Sequence, residues 1–517
     1  MANRQLFPSF RGNNPPPADT INEAGGVAYA LHPKHALAQY AATGCLNHTY
    51  YASGEAQLQR VVNLAYEVDA EFVARTAVFC RTRSFMKDMP ALLCAVLSLK
   101  DGNALERVFH RVMDDGKMLR NFVQVLRSGA VGRKSLGSRP KRLVRQWLER
   151  RSDEQVFRAA VGQSPSLQDV IKMVHPKPKD PAREALYGYL IGKPKAGAPL
   201  SPLVQAFEEF KRNPGSELPD VPFQLLTSAP LEDRHWMEIA RQASWQMTRM
   251  NLNTFARHGV FKDRKMTTLI ADRLSNPDAI KRARVFPYQL MVAYQNTGDG
   301  VPAVVVDALQ EAMEIAIENV PRVEGKIYVL PDVSGSMLSP ATGHRQGATS
   351  KVRCIDVAAL MAAAMLRKNP DAEVIPFAES ARHVRLNPRD SVMTNAARLA
   401  KLGGGGTNCS APLRELNSRK AHGELVMFVS DNESWMDNRG WGQATATMTE
   451  WEGFKKRNPG AKLVCLDIQP YGHTQAAERH DVMNVGGFSD QVFEAVAAFA
   501  QSADTCHWVD MIEQVNI

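Results

Sequence analysis

The chain has 517 residues, 44% hydrophobic and 23% charged, with 34 glycines and 30 prolines, a composition that excludes a disordered or fibrous protein and leaves room for two or more substantial cores. No apolar run approaches the roughly 18 residues of a membrane-spanning helix, and the amino terminus lacks the charged-then-apolar order of a secretory signal, so a soluble cytoplasmic protein with no membrane partner is expected. The net charge of +9 is uneven: residues 1–324 carry 43 Lys and Arg against 33 Asp and Glu, residues 325–517 carry 20 against 21, and residues 101–150 carry 12 against 5. A polyanionic partner for the first part follows from that imbalance.

From about Pro33 to Asn319 the apolar residues recur at helical spacing in short segments. "ALAQYAATG", "EAQLQRVVNLAYEV", "AEFVARTAVFCRTR", "MPALLCAVLSL", "LERVFHRVM" and "MLRNFVQVLRSG" follow one another with turn residues between them. Short antiparallel helices in series suit an α-solenoid, because one pair cannot bury its apolar face alone. No repeat of fixed length is legible, so an irregular helical domain is the other reading. The seven cysteines form no CxxC and no cysteine–histidine cluster, which predicts neither zinc nor disulfides.

Next comes the most basic stretch. If "KRLVRQWLE" is helical, Lys141, Arg142 and Arg145 share a face opposite Leu143, Val144, Trp147 and Leu148. Arg133, Lys134 and Arg139 precede them among glycines and serines that could also contact phosphates, although a merely solvated face would look the same. "MVHPKPK" adds Lys172, His175 and Lys177, followed by Lys179. The proline- and lysine-rich stretch from His175 to Leu200 should be a surface connection around one short helix, in which Tyr187 and Tyr189 read first as packing residues that could also stack bases. In "ASWQMTRMNLNTFARHG", Trp245, Met247 and Leu252 look like core, while Arg241, Arg249, Asn251, Asn253 and Arg257 supply polar groups that could line the inside of a ring.

After Gly325 the rhythm switches. Strand-like "KIYVLPD", "AEVIPF", "GELVMFVSD" and "AKLVCLDIQ" alternate with helix-like "VRCIDVAALMAAAMLRK", "MTNAARLAKL", "TMTEWEGFKKRN" and "DQVFEAVAAFA". Continuous apolar strands between helices predict a parallel sheet covered on both faces. The expected architecture is therefore multidomain: residues 1–324 an α-solenoid, residues 325–517 an α/β, Rossmann-like domain. Ligands of such a sheet bind at the carboxyl ends of its strands. Asp332, Ser334 and Ser336 follow the first strand, Thr407 follows the glycines of "GGGGTNCS", and Asp431 ends "VMFVSD". Two carboxylates and three hydroxyls are hard oxygen donors, suited to Mg²⁺ or another divalent cation. No Walker sequence, HExxH or nucleophile elbow accompanies them, and a non-enzymatic protein is expected.

"DVSGSM", "GGGGTN" and "VSDNES", in that order, resemble the metal-ion-dependent adhesion site (MIDAS) of von Willebrand factor A domains. With "VLRSGAVGRKSLGSRPKRLVRQWL", "DVIKMVHPKP", "RQASWQMTRMNLNTFARHGVF" and "RVFPYQLMVAY" ahead of it, the whole chain resembles the Ro autoantigen family. The resemblance implies a monomeric ring of HEAT-like helical repeats (the TROVE module) closed by the A domain, with the last residues packing back on the helical ring. It implies a Y-like small RNA on a basic outer surface and the single-stranded 3' ends of misfolded or precursor RNA in a central hole. The corresponding role is RNA quality control or ribosomal RNA maturation with a separate 3' exoribonuclease. Asn408 departs from the A-domain pattern, where an aspartate commonly follows the threonine, and implies a less negative site. A Mg²⁺-dependent protein-interaction scaffold is the alternative function.

Overall fold

The computed structural model describes the chain from Pro15 to Ile517 apart from residues 44, 45, 179, 196, 198, 228, 284, 286, 321, 345–351, 439, 441, 442, 489 and 502–507. Lys179, Cys45 and Cys506 lie outside the described residues. Two compact units form, a sheet-bearing one from Met1–Gln57, Val285–Asn296 and Met313–Met511, and a helical one from Leu58–Arg284, Thr297–Ala312 and Ile512–Ile517. This division departs from a single cut at residue 325, because the start of the chain contributes strands and a helix to the sheet-bearing unit.

The strands of that unit are β1 (Thr20–Ile21), β2 (Val27–Ala30), β3 (Ile327–Pro331), β4 (Glu373–Val374), β5 (Leu425–Ser430), β6 (Lys462–Asp467), β7 (His473–Thr474) and β8 (Val482–Gly486). β1 and β2 form a hairpin, and β2 pairs antiparallel with β7. The other five make a parallel sheet in the order β4-β3-β5-β6-β8. From β3 the chain passes to β4 on one side and then continues on the other through β5, β6 and β8. The direction of winding therefore reverses between β3 and β5, which leaves a crevice at the carboxyl ends of these two strands.

β3, β5 and β8 are buried at every position, as strands covered on both faces must be. On one face Tyr328, Leu330, Val426, Phe428, Leu463 and Cys465 pack against Leu413, Leu416, Met448, Trp451 and Phe454. Trp451 can be buried because its indole N–H donates to Asp481 at 3.0 Å. The helix Cys354–Lys368, buried from Cys354 to Leu366, also packs on β3, β4 and β5. β4 is shorter than "AEVIPF" suggests, although Ile375 and Phe377 still donate to Val329 and Pro331; Pro376 between them lacks an N–H on the outer side of this edge strand, where none is needed for the ladder. The helix Ser410–Ser418 follows Thr407 directly; sequence reading missed β8. The helix Pro33–Thr43 crosses β8 closely enough that a Cβ on Gly486 would lie 2.8 Å from Gln39 Cα, so only glycine fits there.

In the helical unit the helices Ala70–Thr82, Asp88–Lys100, Gly102–Val112, Gly116–Ser128 and Ser138–Glu149 pack in succession against near neighbours in the chain, the solenoid mode of burying amphipathic faces. Asp69, Asp101 and Asp115 cap three of them, accepting N–H groups of the first turn at 2.7 to 3.2 Å, each cap worth about 1 kcal/mol. The last residues belong to this unit: Arg75 donates to Val515 O at 3.1 Å, and Arg111 bonds to Asn516 O. The five described cysteines are buried and free. Among the described residues no helix is long and apolar enough to cross a membrane.

Candidate functional site

Asp332, Ser334 and Ser336 leave the carboxyl end of β3, and Asp431 leaves that of β5, at the crevice where the winding reverses. All four are buried, as is Thr407. The Asp332 carboxylate accepts from Ser334 N–H at 2.8 Å and from Ser430 Oγ at 2.6 Å. Ser334 Oγ and Ser336 Oγ are 3.2 Å apart. The glycine loop joins them through its backbone: Gly404 N–H donates to Val333 O and Gly335 N–H to Gly405 O, both at 2.8 Å, while Thr407 O accepts from Trp435 and Met436 N–H at 3.2 Å. Gly404 and Gly405 adopt φ of 129° and 99°, open to glycine at little cost. All five expected donors are therefore drawn to one end of the sheet.

Burial and the neighbouring Asp431 push Asp332 up to about 7, and burial raises Asp431 as well. Two buried carboxylates with hydroxyl neighbours, and no basic group among the causes of their shifts, form a donor set that fits a divalent cation. Among the described residues no group of three or more His, Cys, Asp or Glu side chains is arranged to hold a metal ion. Because Asp332 titrates higher folded than unfolded, its ionisation destabilises the chelator-treated fold as pH rises from about 4 through about 7. In chelator, Asp332→Asn is therefore expected to melt above the wild type at pH 8, with the gap closing toward pH 5. Denaturation across that range checks this, and a gap independent of pH would contradict it.

Asn408 has a structural task. Its N–H donates to Ala378 O at 2.9 Å, its Nδ2 to Glu379 O at 3.2 Å, and its Oδ1 accepts from Ser410 Oγ at 2.9 Å. Sequence reading missed Ser430, whose hydroxyl holds Asp332; its signal was the polar residue ending the apolar run "VMFVS".

The expected basic residues fall into two groups on the helical unit. In Ser138–Glu149, Leu143, Val144, Trp147 and Leu148 are buried, while Arg142 is exposed and Arg139, Lys141 and Arg145 are half-buried. The helix Leu167–Val174 packs beside it, and Arg145 Nε donates to Val174 O at 2.5 Å. Lys172, His175 and Lys177, all exposed, thus stand next to the Arg145 helix. His175 ends its helix in the left-handed region at φ 49° and lines a cavity of about 420 Å³ with Lys172, Tyr187, Lys193 and Lys195. Arg133 lies against Gly137, and the Lys134 stem against Gly129. Glu106 partly neutralises the group, pairing with Arg139 at 3.1 Å and with Arg142.

The second group is more engaged. Arg241 pairs with Glu238 at 2.6 Å, and the Arg249 guanidinium, pulled down to about 10 by burial, bonds to Gln246 Oε1 at 3.0 Å. Asn251 Nδ2 donates to Met247 O, Asn253 Oδ1 accepts from Gly298 N–H, and Arg257 donates to Thr254 Oγ1. Tyr187 is buried under Arg183, and Tyr189 bonds to Glu208; both are packing residues.

Comparison with known proteins agrees with this geometry. The model of the Ro60 vWA domain matches residues 326–500. The RNA-binding protein RO60 of Deinococcus radiodurans is 25% identical over 520 residues, covering 93% of this chain and 95% of that protein. The chain is thus similar to Ro60 proteins along most of its length, and residues 326–500 match their vWA domain. A further Ro60 relative, the RNA-binding protein RO60 of Caenorhabditis elegans, is 23% identical over 250 residues, 46% of this chain and 37% of that protein. The crystal structure of the Deinococcus radiodurans RO (RSR) protein has the same fold, with a TM-score of 0.62 at 22% identity over 91% of this chain and 99% of that one.

Proposed function

We propose that this chain is an RNA-binding protein of RNA quality control or ribosomal RNA maturation. It holds a small structured Y-like RNA on the basic surface around Arg139, Arg142, Arg145, Lys172 and His175, and takes up single-stranded 3' ends of misfolded or precursor RNA. The chain binds and presents RNA; a separate 3' exoribonuclease does the cutting. The observation that carries this reading is that likeness to the RNA-binding RO60 of Deinococcus radiodurans runs over 93% of the chain, and so includes the basic helical unit. The adjacency of the two basic helices supports it, since Lys and Arg side chains on neighbouring helices can follow one phosphate backbone.

The Asp332 site is assigned Mg²⁺ or another divalent cation, held by Asp332, Ser334, Ser336, Thr407 and Asp431, some through water. The bound ion offers a positive coordination position to a partner's carboxylate or phosphate. Asp332, Asp431 and the three hydroxyls orient and screen that position, while the basic group on the helical unit carries the RNA.

A mobility-shift titration tests the RNA assignment. A structured RNA with a single-stranded 3' end is expected to bind, with log affinity falling linearly against log salt as counterions are released. Affinity insensitive to salt, or no RNA binding alongside capture of an acidic protein, would favour the protein-interaction scaffold instead.

A further inference from the structure

Among the described residues of the sheet-bearing unit, the exposed large apolar side chains are Ile21, Tyr50, Leu338, Trp435 and Met436, each between 41% and 56% exposed. Each stands on, or on a segment bonded to, the loops that carry Asp332 and Asp431. Trp435 and Met436 follow Asp431 and donate their N–H groups to Thr407 O at 3.2 Å. Their side chains lie over the glycine loop, where a Cβ on Gly406 would meet the Met436 thioether and lie 2.7 Å from Trp435 Cζ2. Leu338 follows Ser336 and lies over Gly403, 2.8 Å from where a Cβ would stand. Ile21 is on β1, where the next residue, Asn22, donates from Nδ2 to Ser434 O at 2.6 Å. Tyr50 is on the turn 47–52, which meets the loop after Ser336 through Asn47 Nδ2 to Thr342 O at 2.7 Å and His344 N–H to His48 O at 2.6 Å. The Asp431 loop is fixed from below as well: Ser434 Oγ donates to Asp437 at 2.7 Å and accepts from Cys409 N–H at 2.9 Å, and Asp437 accepts from Ser410 N–H at 3.1 Å. Apolar side chains gathered at one place on fixed backbone mark an interaction site, which single ones scattered over a surface do not.

We propose that the mouth of the Asp332 site is a docking surface for a protein segment that carries one carboxylate among apolar residues. The inference rests on reading the Asp332 set as a cation site and adds the class of partner. Charge favours protein over RNA. Residues 20–26, 47–52, 332–338, 403–410 and 430–438 include no Lys or Arg and five acidic residues, Glu23, Asp332, Asp431, Glu433 and Asp437; Arg439 lies outside the described residues. Arg382, beside the glycine loop, is engaged by Leu402 O and by Gly404 O. A phosphate backbone repeats its charge at every nucleotide and gains affinity from Lys and Arg; bases stacked on Trp435 would bring that backbone with them. A single carboxylate takes the ion's open position, and its apolar neighbours cover Leu338, Trp435 and Met436. A charged contact ringed by apolar side chains that exclude water is the arrangement in which a few residues dominate affinity.

The test uses the full chain, immobilised in millimolar Mg²⁺, and a displayed library of short peptides with a central glutamate and every other position random. The enriched peptides are expected to carry Leu, Ile, Phe, Met or Trp beside the glutamate and to be released by chelator. They are expected to bind the variant Trp435→Ser/Met436→Ser at least about tenfold more weakly, while that variant binds a structured RNA within about twofold of wild type. Enrichment of no sequence, or of peptides that the variant holds equally well, would overturn the docking surface. A loss of RNA affinity of about tenfold in the correctly folded variant would overturn the choice of protein and place RNA at the mouth. Peptides that stay bound in chelator would overturn the cation-site reading and the carboxylate's part in docking with it, a distinguishable result. If the double variant melts well below wild type, Ile21→Ser and Tyr50→Ser, at more exposed side chains, decide instead, and no loss of peptide affinity in either would overturn the proposal.

Discussion

Replacing Arg139, Lys141, Arg142 and Arg145 together by alanine is expected to lower affinity for a structured RNA by on the order of a hundredfold at near-physiological salt, and to flatten the slope of log affinity against log salt by up to about 3.6, near 0.9 per lost phosphate contact. The side chains share one helix whose opposite face supplies the buried Leu143, Val144, Trp147 and Leu148, so the change spares the core. Two of the four pair with Glu106; their removal leaves that carboxylate unneutralised on the binding face, which adds repulsion to the lost attraction. Stability should change little, because exposed ion pairs contribute about 0–1 kcal/mol each. Loss of the Arg145 bond to Val174 O costs about 1 kcal/mol more. Mobility shifts at several salt concentrations, with a melting curve beside them, check both parts. Undiminished affinity at matched salt would remove this helix from the RNA footprint.

Mg²⁺ is expected to raise the melting temperature of the wild-type protein, and Asp332→Ala to abolish that rise. An ion that binds only the folded chain stabilises it by about 2.7 kcal/mol at a concentration of 100 Kd, and it also relieves the repulsion between Asp332 and Asp431. Alanine removes one of two carboxylates from a set whose other donors are neutral hydroxyls, which leaves too little charge to offset dehydration of the ion. In chelator the variant should be no less stable than wild type above pH 7, because it discards a buried charge, although it also gives up the bonds from Ser334 and Ser430. Calorimetry with and without millimolar Mg²⁺ is the check. A full Mg²⁺ response in the variant would show that the ion binds elsewhere.

The cluster around Asp332 and Asp431 was legible in the sequence because its parts are local. β3 and β5 are unbroken apolar runs, and their first polar residues stand where a parallel sheet gathers ligands. Thr407 could be placed by the glycines before it. The helical unit was legible through periodicity, and the exposed and buried faces of Ser138–Glu149 follow from spacing alone. What stayed hidden depends on partners distant in sequence. The hairpin Thr20–Ala30 is short and glycine-broken, and only its pairing with His473 and Thr474 shows where it belongs. Glu106 tempers Arg139 and Arg142 from a neighbouring helix. Arg249, basic by composition, is largely buried against Gln246, a difference that spacing could not reveal.

Separate roles for the basic helical surface and the cation site are tested most directly by one binding series, in which wild type, Asp332→Ala and the four-alanine variant are titrated with the same structured RNA at matched salt. The expected result is a loss of about a hundredfold for the four-alanine variant and a change within about twofold for Asp332→Ala, as for independent sites. A tenfold loss in a correctly folded Asp332→Ala protein, or none in the four-alanine variant, would contradict that separation.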